Sequence, residues 1–348
     1  MNFSKILIAW YLGNKRDLPW RSTTNPYLIW LSEIMLQQTR VAQALPYYFA
    51  FVDAFPTVTD LANAPEDKIL RLWQGLGYYS RARNMHATAK QVVEQHQGAF
   101  PTSYKELIKL KGIGPYTAAA IASFAFREAV AVVDGNVYRV LSRIYGIDVD
   151  IAKSEAKSIF AEKAQSLLSV KTPDLYNQAL MEFGALQCVP RNPSCHTCPF
   201  SSSCFAYQNQ RVTELPVKSK AKKARKRYFN YFVTANAKGE IALQQRLQND
   251  IWQKLYEFPL LETEAEIDAE AAVAAVNKLM PAAVVKRIDA FPVRASHKLS
   301  HQIIELCFWK LEIDGDLPVA VPLNSVVDYP MPIALHNFTV AEISRAEK

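Results

Sequence analysis

The chain has 348 residues, half of them apolar, 21% charged, and a net charge of +7. That length and apolar share can bury a large core and predict two or three domains. No apolar run spans a membrane: the longest, Ala118–Phe126, reads as a buried helix, and the N-terminus lacks a cleavage site, so a cytoplasmic protein is expected.

Residues 1 to about 210 carry apolar residues at helical spacing. Asn25-Pro26, Phe55-Pro56, Ala64-Pro65, Phe100-Pro101 and Thr172-Pro173 mark helix entries. Pro19-Trp20-Arg21 is followed by the run Ser32–Thr39, SEIMLQQT. Glu33 shares its helix face with Ile29, Trp30, Leu36 and Gln37. A carboxyl group on such a face is desolvated, which raises its pKa and suits a general acid near neutrality. A lone helix glutamate more often reaches solvent. Gly75–Arg83, GLGYYSRAR, forms a second block.

Next comes Leu110-Lys111-Gly112-Ile113-Gly114-Pro115-Tyr116, between two apolar helical segments. Its glycines permit a tight turn, and the next helix offers free N–H groups to a DNA phosphate. Gly112, Ile113 and Gly114 are therefore phosphate-binding candidates. Asp134 lies twenty residues beyond Gly114. By itself it suits an N-cap for a helix starting near Val137.

Cys188, Cys195, Cys198 and Cys204 are spaced C-x6-C-x2-C-x5-C. Four thiolates close a sulfur site around zinc or an iron–sulfur cluster, and the long first gap is unlike a zinc ribbon. Disulfides are the remaining alternative. Lys218, Lys220, Lys222, Lys223, Arg225, Lys226 and Arg227 follow, and removing these seven charges leaves the rest of the chain neutral. The run reads equally as a phosphate binder or a solvated linker. Beyond it the pattern changes to strands at 228–234, 241–247 and 300–313 and a helix at 266–280, a separate α+β domain. Cys307, in an apolar strand, reads as a buried free thiol.

The cysteine spacing resembles that of the helix–hairpin–helix DNA glycosylases of the endonuclease III superfamily, and the Gly/Pro turn followed by Asp134 strengthens the likeness. The blocks at 19–21, 32–39 and 75–83 resemble the adenine DNA glycosylase (MutY) family, which removes adenine mispaired with 8-oxoguanine. The resemblance implies an all-α helix–hairpin–helix glycosylase domain with an iron–sulfur cluster at 1–214, a basic linker at 215–227, and an α+β Nudix-like domain at 228–348. It implies one [4Fe–4S] cluster on Cys188, Cys195, Cys198 and Cys204, with zinc as runner-up and Arg191 as a nearby phosphate contact.

The same resemblance assigns roles. Glu33 protonates adenine, ionised Asp134 stabilises the sugar cation, Tyr116 assists near the sugar and Asn136 positions the reacting groups. Two carboxylates whose surroundings push their pKa values apart would divide this work. Trp20, Arg21, Leu36 and Gln178 line the adenine pocket, while Gln38 and Tyr78 enter the duplex at the lesion. Bifunctional relatives carry a lysine just after the hairpin, where this chain has Tyr116, and a phenol forms no imine. A monofunctional enzyme is expected.

In the second domain, Trp252–Pro259 resembles a family block, while the 266–280 helix lacks the magnesium-binding glutamates of a Nudix hydrolase. Recognition without pyrophosphatase activity is implied. Leu299-Ser300-His301 stands where the family reads 8-oxoguanine with Phe-Ser-His, and Ser296-His297 is an alternative alignment. The implied partner of a monomer is duplex DNA with an adenine:8-oxoguanine or adenine:guanine pair, and no membrane. Two other functions stand beside this one: an endonuclease III-type glycosylase for oxidised pyrimidines, and a catalytically silent DNA-binding protein.

Overall fold

A computed structural model of the chain describes residues 3–219, 224–289, 292–317 and 319–343. Its helices are α1 (Phe3–Asn14), α2 (Pro26–Leu36), α3 (Val41–Ala54), α4 (Val58–Asn63), α5 (Glu66–Leu72), α6 (Ser80–His96), α7 (Tyr104–Leu107), α8 (Pro115–Phe126), α9 (Gly135–Tyr145), α10 (Ser154–Ser166), α11 (Pro173–Leu186), α12 (Phe205–Gln208), α13 (Ala269–Leu279) and α14 (Ile333–Phe338). Two compact units result. One comprises Met1–Asn63 and Asn84–Lys220, the other Ala64–Arg83 and Ala221–Lys348. None of the described helices is long and apolar enough to cross a membrane.

The first unit is helical throughout. Helix α2 begins at a proline, and its N-cap Asn25 accepts from the Tyr27 N–H. Nearly every residue from Tyr27 to Met35 is buried, so this helix is apolar all round and runs through the interior. Helix α8 packs on it, and its run of alanines lets the two backbones approach closely. A second cluster joins α1, α9, α10 and α11 through Leu7, Tyr11, Leu141, Phe160, Tyr176 and Phe183. The predicted hairpin is present, but its first helix, α7, has one turn. After Leu107 the chain tightens into i→i+3 bonds, Lys109 to Glu106 and Leu110 to Leu107.

The second unit is built on a seven-stranded sheet. Its strands are β1 (Arg225–Asn236), β2 (Glu240–Ala242), β5 (Leu260–Thr263), β6 (Val284–Ile288), β7 (Val293–Lys298), β8 (Gln302–Asp314) and β9 (Ala320–Pro322), while β3 (Gln244–Gln245) and β4 (Tyr256–Glu257) form a separate ribbon. The central pair, β1 and β8, is parallel from Arg225↔Gln302 to Asn236↔Ile313, and every other pairing is antiparallel. Helix α13 covers one face through Ala272 and Val276 against Phe232, Cys307 and Trp309. On the other face Phe308 stacks on Phe338 of α14 at 4.0 Å. Burial on both faces explains why β1 reads as an apolar run with little alternation.

The domain boundaries expected from sequence differ here in two places. Strand β1 starts at Arg225, so Arg225, Lys226 and Arg227 belong to the sheet and not to a linker; Lys220, Lys222 and Lys223 lie outside the described residues. Arg227 tolerates burial because Asp250 and Glu262 neutralise it. Ala64–Arg83 clusters with the sheet unit, tied there by Arg83 Nη1 to the Gln253 carbonyl (2.7 Å) and Arg71 Nη1 to the Tyr329 carbonyl (3.3 Å). The strand expected at 241–247 is split at Leu243 between the sheet and the ribbon.

Candidate active site

A cleft of about 1120 Å³ opens in the helical unit. Its lining includes Trp20, Arg21, Glu33, Leu36, Gln38, Gly112, Gly114, Tyr116, Asp134, Asn136 and Gln178, and among the described residues no lysine. Residues from widely separated stretches of sequence therefore converge. Tyr78, Ile113, Leu299, Ser300 and His301 are not among them.

Glu33 is buried, as its apolar helix face predicts. Burial raises its carboxyl to about 7, against the opposing hydrogen bond that Tyr116 Oη donates to Glu33 Oε2, and nearby Asp134 adds to the rise. Tyr116 itself, buried beside two carboxyls, is held well above its ordinary value and stays protonated.

Asp134 caps α9, as one of its two readings expects. Its Oδ1 caps α9 by accepting from the Val137 N–H at 2.8 Å, and its Oδ2 accepts from Asn136 Nδ2 at 2.7 Å. Burial raises its pKa, and the Val137 and Asn136 donors oppose this. The surroundings thus raise both carboxylates; what separates them is that Asp134 has backbone and amide donors to support its ionised form.

Asn136 is held in turn. Arg139 Nη2 donates to Asn136 Oδ1 (2.8 Å) and to the Gly184 carbonyl (2.7 Å), and Arg139 Nε donates to the Cys188 carbonyl (2.8 Å). Side-chain and backbone bonds therefore connect Asp134 to the cysteine loop. Gly184 makes this possible, since a Cβ there would lie 2.5 Å from the Asn136 Cβ.

The pocket wall contains a pair that sequence reasoning missed. Glu182 is buried and receives bidentate bonds from Arg21 (2.8 and 2.6 Å) and three bonds from Arg16, including its backbone N–H. Burial alone would raise its pKa, but the Arg21 and Arg16 hydrogen bonds outweigh it and hold the carboxylate at about 2. The one sequence hint was that Glu182 shares a face of α11 with Gln178 at i, i+4, which places it near the cleft but does not reveal its arginine partners. Gln178, on the cleft wall, accepts from Tyr11 Oη at 2.7 Å. Trp20 packs edge-on against Tyr48 at 5.2 Å, so it serves packing as well as the cleft wall.

At the hairpin, Gly112 has a φ of +76°, and a Cβ there would lie 2.9 Å from Asn84. The Ile113 N–H donates to the Leu110 carbonyl and its side chain is buried, so the phosphate-facing candidates are Gly112, Gly114 and the start of α8. Gln38 and Tyr78 both hold left-handed backbones, with φ of +56° and +48°. Such strain in non-glycine residues clusters at functional positions. Tyr78, in the sheet unit, exposes 43% of its surface, with the Arg81 guanidinium 5.6 Å from its ring.

Leu299, Ser300 and His301 form the tip of the β7–β8 hairpin, closed by Leu299 N–H to the Gln302 carbonyl at 2.8 Å. Ser300 and His301 are exposed, and Ser300 Oγ lies 3.2 Å from His301 Nδ1. His297, of the alternative alignment, is half-buried against Trp252.

Cys188, Cys195, Cys198 and Cys204 line one small cavity with Phe183, Ile144 and Arg143. All are free thiols, so no disulfide joins them. Among the described residues no group of three His, Cys, Asp or Glu side chains converges on a single-ion position. Arg143, buried, fixes the loop through the Val189 (2.8 Å) and Pro190 (3.1 Å) carbonyls and approaches Cys188 Sγ at 3.5 Å. Arg191 is exposed beside this loop.

Comparison with known proteins agrees with this geometry. Residues 31–166 match the family of HhH-GPD superfamily base excision DNA repair proteins, and residues 230–339 match the NUDIX domain. The chain is 34% identical over 312 residues to the adenine DNA glycosylase of Buchnera aphidicola subsp. Schizaphis graminum, covering 88% of this chain and 89% of that one. It is 40% identical to that of Buchnera aphidicola subsp. Baizongia pistaciae (74% and 73% covered) and 42% to that of Homo sapiens (61% and 41%). Among solved structures, a thermostable thymine-DNA glycosylase aligns with a TM-score of 0.54 at 28% identity over 60% of this chain and 95% of that one. A non-covalent endonuclease III–DNA complex, at 0.52 and 19% identity over 60% and 94%, shares the fold.

Proposed function

Because this chain belongs to the adenine DNA glycosylase family, and is by that membership a DNA N-glycosylase of base excision repair, we propose that it hydrolyses the glycosidic bond of adenine paired with 8-oxoguanine or guanine in duplex DNA. The observation that carries the mechanism is a protonatable Glu33 at the wall of a cleft that also holds Asp134. The target adenine leaves the base stack to reach the cleft, because its glycosidic bond is shielded inside the duplex. Glu33 gives its proton to adenine and makes the base a neutral leaving group. The Asp134 carboxylate, oriented by its α9 and Asn136 donors, stabilises the cationic sugar until water adds to it and gives up a proton that restores Glu33. Glu182 keeps Arg21 and Arg16 in place along the wall where the base would lie.

Tyr116 after the hairpin, and a lining with no lysine among the described residues, support release of the base without a Schiff base, hence without strand cleavage. Gly112 and Gly114 would receive a backbone phosphate, Gln38 and Tyr78 would fill the opened duplex, and Ser300 and His301 would read the opposing 8-oxoguanine. Cys188, Cys195, Cys198 and Cys204 would hold a [4Fe–4S] cluster. When bound, it would tie the loop to α9 and α11 and supply no step of the hydrolysis.

The test is base release from duplexes carrying adenine opposite 8-oxoguanine, guanine or thymine, with strand breakage read before and after hot alkali. Adenine loss opposite 8-oxoguanine, seen as breakage after alkali alone, is expected. Removal of an oxidised pyrimidine with spontaneous nicking would move the chain to the bifunctional branch. Tight binding without release would make it a silent DNA-binding protein.

A further inference from the structure

The sheet unit holds a charge cluster, centred on a buried arginine and part-exposed carboxylates, that neither the fold nor the cleft explains. Arg227 on β1 is 8% exposed and uses all five of its N–H donors. Nε and Nη2 bond Glu262 (2.7 and 2.6 Å), Nη1 and Nη2 bond Asp250 (3.1 and 2.7 Å), and Nη1 also bonds Gln302 Oε1 at 3.0 Å. Its guanidinium lies 4.7 Å from the centre of the Phe229 ring, and Asp250 is braced again by Arg246 at 2.7 Å. An ordinary apolar core residue would cost less desolvation at this point, so a five-bonded arginine here specifies geometry.

The geometry it specifies is that of one hairpin. Gln302 is the first residue of β8 and the one directly after His301. Its carbonyl closes the tip by accepting from Leu299, while its side chain is held by Arg227. The His301 carbonyl accepts from the Arg225 N–H at 3.0 Å, two residues before Arg227 on the same strand. On the other side of the hairpin, His297 packs on Trp252, which closely follows Asp250 in sequence. The His301–Gln302 leg is thus hydrogen-bonded to β1 and to Arg227, while the His297 leg reaches the same arginine through ring contacts, Trp252 packing edge-on against Phe229, the ring beneath the guanidinium.

We propose that Arg227, acting through Gln302, is a positioning residue that sets the pose of Ser300 and His301 and so determines how strongly the enzyme prefers 8-oxoguanine over guanine opposite adenine. The proposal rests on the reading of Ser300 and His301 as the lesion reader. Hydrogen-bonding groups discriminate only when their pose is fixed before contact, because a floppy tip must be ordered upon binding.

The experiment measures single-turnover adenine release, at saturating enzyme, from adenine:8-oxoguanine and adenine:guanine duplexes. The chains compared are the parent, Arg227→Gln, Gln302→Leu, the pair Ser300→Ala/His301→Ala, and the pair combined with Gln302→Leu. The expected result is that Arg227→Gln and Gln302→Leu each lower the 8-oxoguanine-to-guanine rate ratio about tenfold, the scale of one lost hydrogen bond to a charged group. The adenine:guanine rate should hold, because Glu33 and Asp134 lie in the other unit. In the Ser300/His301 background, Gln302→Leu should lower the ratio no further. Gln302→Leu keeps the Arg227–Asp250–Glu262 pairs, so it tests the link even where Arg227→Gln does not fold.

An unchanged ratio in folded Gln302→Leu, an equal fall of both rates, or an additive loss in the combined variant would overturn the proposal. A parent that shows no preference for 8-oxoguanine, or a preference that Ser300→Ala/His301→Ala leaves intact, would instead overturn the lesion-reader assignment on which it stands.

Discussion

Glu33→Gln separates the electrostatics of the site from its packing. Glutamine keeps an acceptor for Tyr116 but removes the ionisation. In the folded chain burial holds Glu33 at about 7 against an ordinary 4.5. A group whose folded pKa is raised supports folding fully below its unfolded pKa and loses that support as the pH climbs through the folded value. For Glu33 the loss runs from about pH 4.5 to about pH 7, and at about 1.4 kcal/mol per pH unit it comes to roughly 3 kcal/mol. Glutamine carries no such loss. Glu33→Gln is therefore expected to be more stable than the parent by about 3 kcal/mol at about pH 8, and by under about 1 kcal/mol at about pH 5. Urea unfolding at the two pH values measures this, with adenine release assayed on the same samples. The variant should gain stability at high pH while losing excision. A stability difference that does not change with pH, or is absent at pH 8, would refute the claim that Glu33 is buried with a raised pKa.

Other expectations follow from the same geometry. Adenine release should fall as pH rises past about 7, where Glu33 gives up its proton. Tyr116→Phe removes the hydrogen bond that lowers the Glu33 pKa, so a pH–rate profile should show this limb at higher pH than in the parent. Gly184→Ala drives a methyl group into Asn136; a cost of about 1–3 kcal/mol in thermal unfolding and a marked loss of single-turnover rate are expected, since Asn136 orients Asp134. Cys204→Ser should deplete iron, sulfide and visible absorption together and destabilise the helical unit, whereas stoichiometric zinc in the parent would overturn the cluster assignment.

Much of the helical unit was legible because its signals are local. The Pro26 and Pro173 entries, the Gly112 turn and the Asp134 cap each sit within a few residues of the feature they specify. The burial of Glu33 could be read from its neighbours on one helix face. Glu182 was harder: its partners, Arg16 and Arg21, are more than 160 residues away, and nothing near it announces an ion pair. The sheet was harder again. Strands β6 and β7 are short and largely exposed, so they carry little apolar pattern, and Arg227 looked like part of a charged linker because Asp250 and Glu262 reach it only in the fold. The placement of Ala64–Arg83 was invisible, since its partners arrive from beyond residue 250.

That placement changes what a boundary means in this chain. The backbone passes from one unit to the other three times, after Asn63, after Arg83 and after Lys220, so a scissile bond near residue 220 severs only one of three crossings. A fragment ending there would carry Ala64–Arg83 as an orphaned insert: Arg71, Arg83 and the Tyr79 hydroxyl would lose the carbonyls of Tyr329, Gln253 and Met331. Such a fragment would keep the Glu33–Asp134 cleft whole while presenting one stretch of chain stripped of everything it folds against.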